Sequence, residues 1–260
     1  ISTAFGHGIS LTTHALVTSY LVGSIVLQSP GGKLGDVVGY RRAFSLGQAT
    51  FFVGALLATL APSLALLTLA RVVMSIGGAI IVPSATALLR TEVPLERRGR
   101  AFGAFGATMA LSAAVGPIVG GQLADAFGYR ALFLANVPVL VVAALLARGS
   151  GSRDASRVPT KLTFDFVGMA LLTLGLGAIV VGSKLVGTTR LALLAGGAVL
   201  LAAFVVWERR VEDPIVDLSL LTRRVYVAGG MIVALHNLGM YALMFAVSSA
   251  LATMFSLTPR

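Results

Sequence analysis

Asp36 stands among Lys33, Arg41 and Arg42 in the stretch Gly32-Lys33-Leu34-Gly35-Asp36-Val37-Val38-Gly39-Tyr40-Arg41-Arg42, between two long apolar runs. One carboxylate and three cations this close together are suited to forming and breaking charged hydrogen bonds. Beside a bilayer core such charges are costly unless they pair or reach water. The spacing predicts a tight charged loop at a membrane surface, with Gly35 and Gly39 allowing turns that other residues resist. Its chemistry is that of a latch, a bridge that holds one conformation and breaks in another. Plain topogenic charge is the competing reading.

A second kind of chemistry belongs to Arg71, the only cation in the interior of an expected span, Lys184 lying at the very end of another. Arginine keeps its proton, so it does not carry one across. It can lower the pKa of a neighbouring carboxylate or hold a buried anion; snorkelling to the outer interface is the alternative. In a later run Ser112, Gly116 and Gly120 recur every four residues, beside Pro117 and Gly121. Such a face lets another backbone approach closely, and the proline invites a kink. In the last run His236 and Met240 share one helical face, and Asn237 and Tyr241 the adjoining one. Polar groups beside flexible Met can line a promiscuous cavity. Tyr20 and Gln28 in the first run carry the same reading, and ordinary packing is the alternative for all six. Asp165, at the start of its run, is expected to cap a helix. There is no His-x-x-x-His pair, no phosphate-binding Gly-Lys-Ser/Thr loop and no cysteine. No paired intramembrane carboxylates are expected either. Catalysis and ATP-driven transport thus have no visible machinery, and neither an enzymatic activity nor a metal or organic cofactor is expected.

The elements that position these residues follow from composition. Of 260 residues 57% are hydrophobic and 12% charged, where soluble domains carry about 25% charged residues. A spanning helix needs about 20 apolar residues. Eight spans are expected, at 13–31, 43–61, 64–89, 101–124, 131–147, 166–185, 191–207 and 226–251. Residues 1–11 read as the tail of an earlier helix or the loop after one. Basic residues concentrate in every second loop, as successive crossings with the rich loops in the cytoplasm require. The formal net charge of +10 is spread over these loops rather than gathered in a patch, so nucleic-acid binding is excluded. Two polar connectors divide the chain, 149–164 and 208–224, and residues 215–218 are expected to form a short surface helix. The fold class is all-α, a polytopic membrane helix bundle. The chain starts at Ile1 and stops at Arg260, and reads as a fragment of a longer protein.

Several motifs resemble one family. Residues 32–42 fit G-x-L-x-D-x-x-G-x-[RK]-[RK], the signature between the second and third helices of major facilitator superfamily transporters. Residues 71–79 resemble the R-x-x-x-G-x-G-x-A motif of proton-coupled facilitators, from which Met74 and Ser75 depart. Residues 112–121 resemble the antiporter motif G-x-x-x-G-P-x-x-G-G, with Ser112 for the first glycine. Residues 128–138 look like the G-W-R-W-x-F-x-x-N-x-P stretch of drug exporters, with Tyr129 and Ala131 in place of tryptophan; Arg130 and Asn136 there anchor and pack. Residues 164–168 and 208–218 are similar to those bounding the extra helix pair of the fourteen-helix drug:proton antiporter family. The resemblance implies that the spans are helices two to six (1–148), the extra pair (165–207) and the start of the second bundle (225–260). It implies alternating access by two bundles in the cell (inner or plasma) membrane, with protons as coupling ion and outward movement of small amphipathic or cationic compounds. Gly32, Asp36, Gly39, Arg41 and Arg42 would form the gate and Arg71 would tune proton coupling. Ser112, Gly116, Pro117, Gly120 and Gly121 would form the antiporter motif. The proton-titrating carboxylate is expected outside these residues, and the complete protein is expected to be a monomer in the lipid bilayer, with small molecules as its other partners. A facilitator importing a sugar or organic anion, and a non-transporting scaffold or sensor, are the alternatives.

Overall fold

A computed structural model of the chain describes residues 16–17, 19–149, 165–212, 214 and 216–254. Long apolar runs with few charges leave the backbone one way to satisfy its own polar groups within each segment, the α-helix. The helices are α1 (Ser19–Val38), α2 (Tyr40–Leu60), α3 (Leu64–Glu92), α4 (Leu95–Phe127), α5 (Tyr129–Leu134), α6 (Asn136–Gly149), α7 (Phe166–Lys184), α8 (Thr188–Glu208) and α9 (Arg224–Met254), with a 3-10 helix at Leu218–Thr222. Among the described residues six stretches are long and apolar enough to cross a membrane: α2, α3, α4, Tyr129–Leu146, α7 and α8. The fold is an all-α membrane bundle, as the apolar pattern requires.

Residues 32–42 correct the expectation of a loop. α1 continues through Gly32 to Val38, and only Gly39 breaks the helix before α2 starts at Tyr40. Gly39 has φ 91°, a left-handed conformation open mainly to glycine. Gly35 is helical instead; a Cβ there would meet the Tyr40 ring at 2.8 Å. Polar residues do not end these helices because an α-helix needs no apolar side chain to satisfy its own backbone. For the same reason Arg97, Arg98 and Arg100 sit inside the first turns of α4. Expected span 131–147 is likewise divided, at Ala135. The surface helix expected at 215–218 begins later, at Leu218, where Asp217 Oδ1 accepts from Ser219 N at 2.9 Å. Hydrogen bonding from Ser219, ahead of the charge on Arg223, holds the Asp217 carboxyl below its ordinary value.

The chain divides into residues 1–215 and residues 216–260. In the first unit α3 is the central helix, flanked by α1 and α2, while α7 pairs with α8 and also touches α1. Glycine permits the close approach. A Cβ on Gly77 would fall 2.5 Å from Phe51 N of α2, and one on Gly31 would fall 2.4 Å from the Ala79 carbonyl of α3. The core beside these contacts is built from small and branched residues, among them Ala55, Ala58, Leu67, Ala70 and Met74, and closes on Phe133 of α5. No residue of α4 is buried. In the second unit α9 follows the 3-10 helix directly.

Candidate functional site

Arg71 lies two turns into α3, on the side facing α1. Its Nε donates to the Leu16 carbonyl at 3.0 Å. Its guanidinium carbon sits 4.2 Å from the centre of the Tyr20 ring and 6.0 Å from that of Phe133. The room for Tyr20 comes from the next turns of the same helix, since a Cβ on Gly78 would meet the Tyr20 hydroxyl at 3.2 Å. A cation–π contact contributes about 0.5–2 kcal/mol and a charged hydrogen bond about 1.5–3 kcal/mol. Together they match the roughly 2.5–3.5 kcal/mol that an arginine costs at the middle of a span on insertion scales. The cation is therefore held inside the bundle without a carboxylate: among the described residues none pairs with it. Tyr20, an expected cavity residue, is the platform under Arg71, a link that 50 intervening residues conceal in the sequence.

The charged segment forms a different set of partners from the one its spacing suggests. The exposed Asp36 accepts from the Tyr40 hydroxyl, one turn along and across Gly39. Arg41 Nε lies 3.5 Å from Glu92 Oε1 at the end of α3. Lys33, only 8% exposed, donates from Nζ to the Pro214 carbonyl at 3.3 Å. Gly32 is in ordinary contact with Pro83, and Arg42 lies on the exposed face beside Arg41. The segment thus ties α1 to α2, α2 to α3, and α1 to the polar connector.

The remaining expected residues are scattered. Gln28 is exposed on α1. Ser112, Gly116, Pro117 and Gly121 lie on exposed faces of α4, which runs unbroken as a helix through Pro117. Gly116 and Gly121 have nothing within 4 Å of a Cβ position, and Gly120 meets only Leu132. The small-residue face is therefore unoccupied among the described residues. In the second unit His236 is exposed, Asn237 Nδ2 donates back to the Val233 carbonyl at 3.0 Å, and Met240 is half-buried. Tyr241 is helical, and its side chain lies outside the description.

Sequence reasoning missed a buried carboxylate pair at the shared end of α7 and α8. Asp165 caps α7 as expected, accepting from Gly168 N at 2.8 Å, and its two oxygens also accept from Trp207 Nε1 at 3.0 and 3.1 Å. Glu208 is 4% exposed. A Cβ on Gly168 would lie 3.0 Å from Asp165 Cγ and 3.3 Å from Glu208 Oε1. The two acids lie at the ends of their helices, at the membrane edge and not within a span. The only available signal was the position of each acid at the outer end of an apolar run, on antiparallel helices.

These features occur in a chain whose residues 1–166 match the sequence profile of the Major Facilitator Superfamily. The chain belongs to that superfamily. Among relatives of this facilitator chain, a probable actinorhodin transporter of Streptomyces coelicolor is 35% identical over 82% of the chain and 39% of its own length. A multidrug resistance protein B homolog of Mycobacterium tuberculosis is 33% identical over 94% of the chain and 46% of its own length. A tetracenomycin C resistance and export protein of Streptomyces glaucescens is 31% identical over 94% of the chain and 46% of its own length. The facilitator chain thus spans less than half the length of these three relatives.

Proposed function

We propose that this chain is part of a proton-coupled secondary transporter that exports small amphipathic or cationic compounds by alternating access. The observation that carries the reading is the match over 94% of the chain to relatives named for multidrug resistance and for resistance and export. Arg71 supports it from the geometry, as a permanent cation held inside a spanning helix. In this reading residues 1–148 belong to one bundle and 165–207 are an extra pair. Residues 149–164 and 208–224 are cytoplasmic connectors, and residues from 225 open the second bundle. The bundles rock about a central cavity in the cell membrane. Asp36 and Arg41, with Gly32, Gly39 and Arg42, gate the cytoplasmic side. Arg71 biases the ionisation of a carboxylate contributed from outside the described residues, so that inward proton flow is tied to outward cargo movement. Ser112, Gly116, Pro117, Gly120 and Gly121 form the face against which another helix slides. His236, Asn237, Met240 and Tyr241, with Tyr20 and Gln28, are candidates for cargo contact.

The test uses energised cells expressing the whole protein, loaded with a fluorescent lipophilic cation. Wild-type efflux is expected to stop with an uncoupler and to be lost in Arg71→Ala at equal membrane abundance. Efflux indifferent to both would remove Arg71 and the proton from the mechanism. Absence of any efflux, at normal abundance, would overturn broad drug export.

A further inference from the structure

Five side chains of α3 carry a hydroxyl. Those of Thr68, Ser75, Thr86 and Thr91 each donate to a carbonyl one turn back on their own helix. The fifth, Ser84, is 1% exposed, and its Oγ meets no partner among the described residues. A buried hydroxyl left in that state is costly, although the bond its neighbours make is one rotamer away. Ser84 Oγ is turned toward α1 instead: a Cβ on Gly35 would lie 3.6 Å from it. Among the described residues one other buried side-chain oxygen lacks a partner, that of Ser24, and it belongs to α1.

The same two helices share a second feature. They run in the same direction, with Gly23 against Ser75, Gly31 against Ala79 and Gly35 against Ser84. Each has a proline in its interior, Pro30 in α1 and Pro83 in α3. Proline has no N–H, so the carbonyls of Val26 and Ala79 lose their ladder partners. The two prolines fall at one level of the bundle, since Gly31 meets Ala79 and Gly32 meets Pro83. A helix bends at such a point without giving up a further ladder bond. Beyond it lie the last turns of α1, which carry the charged segment, and the last turns of α3, which begin at Ser84.

We infer that Ser84 is a positioning residue for the gate: α1 and α3 bend together at Pro30 and Pro83, and in the bent arrangement Ser84 Oγ donates to a carbonyl of the Gly31–Gly35 turn. This rests on the reading of residues 32–42 as a gate. The hydroxyl favours the bent arrangement twice over, being unbonded before the movement and bonded after it. Glycine at 35 keeps open the space that the hydroxyl crosses, with the Tyr40 ring already against that residue. The prolines keep the movement local, so the turns that hold Arg71 against Tyr20 need not part.

The test measures the two arrangements directly. The whole protein, freed of any other cysteine, carries spin labels at Thr91→Cys and Leu145→Cys, exposed positions near the ends of α3 and α6. Distances between the labels are read by pulsed electron spin resonance in nanodiscs. The unsubstituted background is expected to show two distances, one of them that of the structure described. Ser84→Ala is expected to shift the ratio toward the described distance by at least roughly five-fold, the worth of one hydrogen bond. Ser84→Thr keeps the hydroxyl and is expected to keep the ratio. Ser75→Ala, which removes a buried hydroxyl already bonded to its own helix, is expected to keep it too. Pro83→Ala restores the ladder bond to Ala79 and is expected to lose the second distance; should it fail to fold, Ser84→Ala decides alone. A ratio indifferent to Ser84→Ala would overturn the proposal, as would a single distance in the background or an equal shift in Ser75→Ala. The measurement needs neither cargo nor a proton gradient. Absence of efflux with a ratio that still answers to Ser84 would therefore overturn the export reading and leave the paired bend standing.

Discussion

Arg71 illustrates how a single side chain inside a span is made tolerable. Its charge is met by a ring and a carbonyl, not by an acid. Tyr20→Phe keeps the ring and is expected to leave stability within a few tenths of a kcal/mol. Tyr20→Leu removes it and should cost about 0.5–2 kcal/mol. Unfolding of the two variants in mixed detergent measures the difference; equal losses would mean that the ring does not hold the cation. Gly39 is the other residue whose effect is local. At φ 91° any other L-residue is strained by roughly 1–2 kcal/mol, so Gly39→Ala should lower the unfolding midpoint. Gly99→Ala is the control, because that position has nothing within 4 Å of a Cβ. If both variants melted alike, the left-handed turn would not be essential.

At the scale of elements, glycine means different things on different helices. On α3 and α2 it marks backbone contact: Gly77 faces Phe51 N and the Gly47 carbonyl, and Gly54 faces Met74. On α4 the motif glycines face open space. The same small residue is thus part of a packed seam in one helix and of a bare one in another. Gly77→Leu is expected to separate α2 from α3 and to destabilise this chain strongly, by about 1–3 kcal/mol as overpacking does. Gly116→Leu is expected to change the stability of the same chain by less than about 0.5 kcal/mol. Parallel thermal melts of the two variants decide it, and a large loss in Gly116→Leu would show that α4 is packed in solution. The motif pattern was legible in the sequence, but whether a partner occupies it was not. Four-residue spacing describes one helix's own surface and carries no information about what lies opposite.

At the scale of the molecule, the contact between Lys33 and Pro214 ties the charged segment to the connector that ends the first unit. Lys33 reaches across 181 residues, and its burial makes the tie costly to break. Lys33→Ala is expected to loosen the connector and raise the rate of proteolytic cleavage within residues 208–224, while cleavage within 149–164 stays unchanged. A uniform rise at both connectors would indicate general destabilisation instead. Pro214 therefore has a defined place against α1, although the composition around it reads as an exposed polar linker.

The amino-acid sequence alone determined that the chain is a helical membrane bundle, where most spans lie and to which superfamily it belongs. Apolar run length and charge at the run ends are local quantities, and the signature motifs are short and contiguous. Only the tertiary structure decided the partners. It gave Arg71 to Tyr20 and Leu16, Arg41 to Glu92, and Asp165 to Trp207 beside Glu208. It also turned an expected charged loop into helix broken at one glycine. These pairings join residues from separate helices, and their distances are set by how closely glycine-bearing faces approach. Spacing along one chain segment fixes which face a residue occupies; the packing of a second helix fixes what that residue meets.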